Sequence, residues 1–119
     1  MIRPLAYITA TWSKDEFESR ELAAKYCRAV YEAGYSPICP CLFQNSFLLD
    51  ELPQEHKDRL EMATELLRRS RILVVCGNGS NEEVKSDIAT AKRLHIVATT
   101  LDGILKVDGR SRNIVSNSD

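Results

Sequence analysis

The sequence predicts an α/β domain: a three-layer sandwich in which helices cover both faces of a parallel sheet of four or five strands. Three observations carry this expectation. Short β-branched or apolar runs alternate with longer stretches of helical periodicity, in the order strand, helix, strand, helix, strand, helix, strand. The run Ile72 to Cys76 (ILVVC) is apolar throughout, the pattern of a strand buried on both faces. The 119 residues fit one domain, 1–119, whose single core buries roughly two thirds of the unfolded surface.

Pro4 to Ala10 (PLAYITA) is apolar and β-branched and reads as the first strand. Ser13 and Glu16 then stand at the S-x-x-E spacing of a capping box, which starts a helix. Phe17, Ala24, Cys27 and Tyr31, with Ala23 and Val30 beside them, recur at helical spacing, and Gly34 supplies the stop. Tyr35 to Cys39 (YSPIC) is a second strand, and Pro37 assigns it to a sheet edge because proline has no N–H for the ladder. From Cys41 to Leu52 the connection carries Phe43, Phe47, Leu48 and Leu49. It is too apolar for a solvated loop, so a short helix or a lid over the domain is expected. Pro53 suits the first turn of the next helix, whose stripe is Leu60, Ala63 and Leu67 with Leu66 beside them. After the central strand, Gly77-Asn78-Gly79 turns the chain, and Ser80 with Glu83 repeats the capping-box spacing. The helix so opened has Val84, Ile88 and Ala91 on its buried face. His95 to Thr99 (HIVAT) is the last clear strand, and the polar stretch 108–119 is expected to be a loosely held tail. This succession implies a doubly wound sheet of the Rossmann-like or flavodoxin-like kind.

Charge and composition exclude several classes. Sixteen Lys and Arg against seventeen Asp and Glu give a net charge of −1, without the basic face that a duplex nucleic-acid binder needs. The longest apolar run, Ile72 to Cys76, is far too short to span a bilayer, so no membrane partner is expected. Met1-Ile2-Arg3-Pro4 leads straight into a strand pattern, without the regions of a signal peptide, which predicts a cytoplasmic location. The cysteines at 27, 39, 41 and 76 read as small core hydrophobes of a reducing compartment. Cys39-Pro40-Cys41 is a C-x-C without a second Cys pair or nearby His pair, so no metal is expected.

A ligand of such a sheet binds beyond the carboxyl ends of the strands. The segments arriving there are Ala10 to Ser13, with Thr11 and Trp12, then Pro40 to Leu42, and Gly77 to Ser80. Gly77-Asn78-Gly79-Ser80 follows a strand and opens a helix, as a phosphate-binding turn does, although a tight turn without a ligand has the same composition. Glu82 occupies the third glycine position of a dinucleotide fingerprint, and Glu82 and Glu83 put negative charge where a pyrophosphate would sit. No nicotinamide or flavin cofactor is therefore expected. Asp87 lies one helical turn after Glu83, which puts both carboxylates on one side of the helix near the strand ends. Such a pair can divide the roles of nucleophile and acid, or be a solvated first turn favoured by the helix dipole. Tyr7 either points a phenol into the site or packs in the core. Trp12 either stacks on a base or staples the helix start.

These motifs, in their order and spacing, resemble the nucleoside 2-deoxyribosyltransferase-like superfamily, and in particular its short bacterial and phage members. AYITATWS is similar to that superfamily's opening strand and turn, Tyr35-Ser36-Pro37-Ile38-Cys39-Pro40 to its second strand, and SRILVVCGNGSNEEVKSDIATAKRLHIVA to the strand, turn and helix that carry the nucleophilic acid. The resemblance covers roughly residues 5 to 100. It implies N-glycosidic cleavage of a nucleoside or nucleotide by a carboxylate nucleophile, through an oxocarbenium-like transition state. It places that nucleophile at Asp87, with Tyr7 as its neighbour on the first strand, and the base and sugar among Ala10, Thr11, Trp12, Cys41, Gly77, Asn78, Gly79 and Glu83. Three positions depart from the pattern. Asp87 stands where the superfamily usually has Glu, Arg71 where an acid often precedes the central strand, and Cys41 where close relatives tend to have His. A non-catalytic module binding a nucleotide-derived molecule is the competing expectation, with Arg71 suited to an anion. An interaction protein using the Cys41 to Leu52 surface is a third, and that surface predicts a homodimer or higher homo-oligomer.

Overall fold

The computed structural model of the chain describes residues 2–13, 15–77 and 81–105. Its elements run β1 (Leu5–Ala10), α1 (Glu16–Glu32), β2 (Ser36–Ile38), α2 (Cys41–Gln44), α3 (Pro53–Arg68), β3 (Ile72–Cys76), α4 (Glu82–Arg93) and β4 (Val97–Thr100). The strands form one four-stranded sheet, all parallel, in the order β2-β1-β3-β4. That order is flavodoxin-like: the chain steps from β1 to β2 on one side, then crosses back to β3 and continues outward. Among the described residues, no helix is long and apolar enough to cross a membrane.

Strand alternation divides the core in two. Ala6 and Ile8 of β1 and Val74 and Cys76 of β3 meet Ala23 and Val30 of α1 on one face, joined by Ile104. Tyr7 of β1 and Leu73 of β3 meet Ala63 and Leu67 of α3 and Ala91 of α4 on the other. Both central strands are thus covered on both faces, as the unbroken apolar run of β3 requires. Pro37 sits on the outermost strand β2, where its missing N–H costs no ladder bond.

Several local expectations shift. Helix α1 is capped by Asp15, whose carboxylate accepts from the Glu18 N–H at 3.0 Å, and not by Ser13. The Ser13 N–H instead donates to Ser19 Oγ at 2.9 Å, which ties the β1–α1 connection back onto the helix. The buried stripe of α1 accordingly runs through Ser19, Ala23 and Val30, leaving Phe17 72% exposed and Tyr31 on the surface. There the Tyr31 ring carries the Arg3 guanidinium 4.4 Å from its centroid. Helix α4 is capped by Asn81, which accepts from the Val84 N–H at 2.9 Å; Ser80, expected in that role, lies outside the described residues.

Strand β4 begins at Val97 and not at His95, because His95 (φ 59°) takes the left-handed position that ends α4. The following Ile96 N–H closes onto Ala91 O at 2.8 Å. In α3 the buried stripe is Arg59, Ala63 and Leu67, so an arginine is buried where the pattern offered Leu60, which is exposed. The segment after Pro40 does form a short helix, α2, followed by turns. The expected tail, 108–119, lies outside the described residues.

Gly34 (φ 101°) and Gly77 (φ 81°) hold conformations that side chains rarely adopt. A Cβ at Gly34 would meet nothing, whereas one at Gly77 would stand 3.0 Å from Tyr26 Oη. Chemical denaturation should therefore show Gly34→Ala costing about 1 kcal/mol from backbone strain alone. Gly77→Ala should cost more, and should disturb Tyr26 fluorescence or NMR signals as well.

Candidate functional site

Strand order reverses between β1 and β3, so the helices that leave their carboxyl ends diverge to opposite faces of the sheet. A cleft opens above β1 where they part. Its volume is about 350 Å³, the size of a small-molecule pocket, and it is walled by α1 on one side and by α3 and α4 on the other. The α2 segment closes its outer edge.

Asp87 is one turn into α4, facing β1. Thr9 Oγ1 donates to its Oδ2 at 2.7 Å. Burial pushes the Asp87 pKa up to about 6, the Thr9 bond opposes this, the neighbouring Glu83 adds to it, and Arg59 draws it down. The group is thus mostly ionised at neutral pH and protonates just below it. Tyr7 stands two residues before Thr9 on the same face of β1 and is 4% exposed. Burial, and then the Asp87 charge, push its phenol above the ordinary tyrosine range, so it stays a neutral hydroxyl.

Glu83, the second acid of the pair, is engaged. Its Oε1 accepts from an Arg59 terminal nitrogen, while Arg59 Nε donates to Asp50 Oδ1 at 2.9 Å. Asp50 is also 2.7 Å from His56 Nδ1, so this cluster fastens the 45–52 segment to α3 and α4. Its partners hold the Asp50 carboxyl below the usual range, His56 first and Arg59 second.

Of the residues singled out from sequence, Tyr7, Ala10, Thr11, Trp12, Cys41, Glu83 and Asp87 all line this one cleft. Burial, followed by the Glu83 charge, pushes the Cys41 thiol up to about 11, so it is no thiolate at neutral pH. Gly77 stands behind the wall, where its missing side chain lets Tyr26 pack closely, and Tyr26 is itself a lining residue. Asn78 and Gly79 lie outside the described residues. Arg71, considered for an anion, precedes β3 at the amino end of the sheet, where its N–H donates to Leu5 O at 2.8 Å, so it does not reach the cleft.

Among the lining residues that were not anticipated are Thr9, Arg59 and Gln44. Thr9 had a signal, since a polar residue on the inward face of a central strand needs a partner. Gln44 had none. It is completely buried, lines the cleft, and neither its amide nitrogen nor its amide oxygen has a hydrogen-bond partner. A buried amide left unpaired is costly in the empty protein, and it offers an adjacent donor and acceptor to whatever enters. Among the described residues, no group of three or more His, Cys, Asp or Glu side chains is placed to hold a metal ion.

The family model described as a domain of unknown function (DUF7768) matches residues 4–101, most of the chain, and the chain belongs to that family. No curated protein matches it.

Two outcomes follow from these groups. Gln44→Leu removes the unpaired amide at similar volume and should stabilise the unliganded protein by about 1–2 kcal/mol in denaturant titrations. Because the folded-state pKa of Asp87 is raised, its favourable contribution is complete below about pH 4 and is lost as pH rises through about 6. Asp87→Asn should therefore melt higher than the parent at pH 7.5, by about 1–2 kcal/mol after allowing for partial exposure, with the advantage gone at pH 3.5.

Proposed function

We propose that the cleft takes a nucleoside or nucleotide and that Asp87 is the carboxylate that attacks its anomeric carbon, breaking the N-glycosidic bond. The observation that carries this is the Asp87 carboxylate itself. It is half-buried, held by Thr9, ionised at neutral pH, and set into a cleft of nucleoside size at the switch point of the sheet. In the first step an Asp87 oxygen bonds to the anomeric carbon as the bond to the base nitrogen breaks, and the electron pair leaves with the base. Water completes a hydrolysis, and a second base completes a transfer. Tyr7 is a neutral donor beside the reacting carboxylate. The unpaired amide of Gln44 matches the donor and acceptor edge of a base, and Trp12 supplies a face for stacking. The resemblance to the deoxyribosyltransferase-like superfamily supports the roles of Asp87 and Tyr7.

A second reading, a binding module without turnover, is favoured by one observation. Asp is a methylene shorter than the superfamily's Glu, and a reacting atom displaced by about 1 Å can cost a hundredfold in rate. Self-association belongs to the proposal as well. Phe43, Phe47, Leu49 and Leu52 are exposed beside the cleft, more apolar surface than one short segment of a monomer usually shows. Four free cysteines suit a reducing, cytoplasmic setting.

Incubation with a panel of nucleosides and nucleotides, read by chromatography for released base and by thermal shift for binding, separates the two readings. The glycosidase reading expects base release that falls by at least a hundredfold in Asp87→Asn while ligand-induced stabilisation persists. Binding without release, in both the parent and Asp87→Glu, would establish the module. Light scattering at tens of micromolar should give a dimer or larger mass, and a monomer there would refute self-association.

A further inference from the structure

The cleft places two carboxylates one helical turn apart with a single buried arginine between α3 and the start of α4. Glu83 and Asp87 share one side of α4, and like charges at that separation oppose each other's ionisation. Arg59 is 7% exposed although it is charged, and it meets two anions at once, Glu83 through a terminal nitrogen and Asp50 through Nε. A planar guanidinium makes such a two-point clamp with fixed geometry, which a flexible ammonium does not. Asp50 in turn is held by His56, and Leu49 N–H donates to Glu55 Oε1 at 2.9 Å, so the clamp is tied to α3 at its outer end.

We infer that Arg59 is a positioning residue, which holds Glu83 aside so that Asp87 is the carboxylate presented to the ligand. The inference rests on the proposed use of Asp87, and it explains why an arginine is buried in α3 where the hydrophobic pattern offered Leu60. The groups facing Asp87 are Thr9 and Tyr7 from β1, Cys41 from α2, Arg59 from α3 and Glu83 from α4. Glu82 and His56 line the same cleft. Thr9, Tyr7 and Cys41 are neutral at pH 7, so the charge balance at Asp87 turns chiefly on Glu83 and Arg59. With Arg59 in place, Glu83 is neutralised and turned toward α3. Without it, an unpaired Glu83 carboxylate faces Asp87 in a poorly solvated cleft, and Asp87 holds its proton to higher pH.

The test follows the Asp87 carboxyl by NMR through a pH titration in the full chain, for the parent, Arg59→Gln, Glu83→Gln and the double variant. Arg59→Gln should raise the Asp87 midpoint by about one pH unit and Glu83→Gln should lower it. Arg59→Gln should move it less once Glu83 is Gln, because part of the arginine's effect on Asp87 runs through that residue and only its direct attraction remains. No movement in Arg59→Gln, or equal movement in both backgrounds, overturns the inference. Should Arg59→Gln fail to fold, Arg59→Lys keeps the charge but loses the fork. It should show a smaller rise with the same dependence on Glu83, and a midpoint equal to the parent's overturns the inference there too. Base release is measured on the same four proteins, and its acid limb should follow the Asp87 midpoint. An intact titration cycle with no base release from any protein removes the glycosidase reading and keeps the role of Arg59. Base release from the parent without the cycle removes Arg59 and keeps the glycosidase.

Discussion

The pairing of β1 with β3 is the constraint on which the rest depends. Five residue pairs, from Ala6 with Ile72 to Ala10 with Cys76, fix the register of the two strands that are covered on both faces. Because β2 lies beyond β1 and β4 beyond β3, this pair is also where the chain reverses direction across the sheet. Helices on opposite faces must then part at its carboxyl edge, and the parting leaves a cleft no side chain of the core fills. The same register places Thr9 beside Val75, one residue short of the strand end, on the face that α4 crosses. A hydroxyl from the sheet and a carboxylate from the helix meet there because pairing and crossover bring them to the same depth.

The cleft is polar at a cost to the fold. Asp87 is ionised against its burial, Arg59 is buried as an ion, and the Gln44 amide is left without partners. Each burial disfavours folding; Arg59 recovers the loss through two carboxylates, and Asp87 recovers part of it through Thr9. A domain of this size has little stability to spare, so three such groups around one cleft stand out from the apolar packing of the rest of the fold.

The difference between what was legible in the chain and what was not follows the range of the interactions. Ile72 to Cys76 announced a central strand and Pro37 an edge strand, since each pattern reports a backbone's immediate surroundings. Gly34 and Pro53 marked a helix end and a helix start for the same reason. The caps moved by one or two residues, from Ser13 to Asp15 and from Ser80 to Asn81, because several adjacent side chains offer the same oxygen and packing selects among them. The stripes of α1 and α3 rotated for a longer-range reason. Ser19 is drawn inward by Ser13, and Arg59 by Asp50 and Glu83, which lie 9 and 24 residues away along the chain.

By itself the sequence determined the α/β alternation, the parallel sheet and the end of the sheet where a cleft forms, and it offered Asp87 and Tyr7, which both line that cleft, as candidates. Strand periodicity and turn chemistry are local, and local interactions survive being read one residue at a time. Tertiary structure alone decided that Thr9 holds Asp87, that Arg59 pairs with Glu83, that Arg71 lies at the far end of the sheet, and that Gln44 faces the cleft without a protein partner. Those outcomes depend on which helix crosses which strand and at what depth. Charge pairing and the cost of an unmet hydrogen bond take their values from that burial, which no stretch of the chain carries alone.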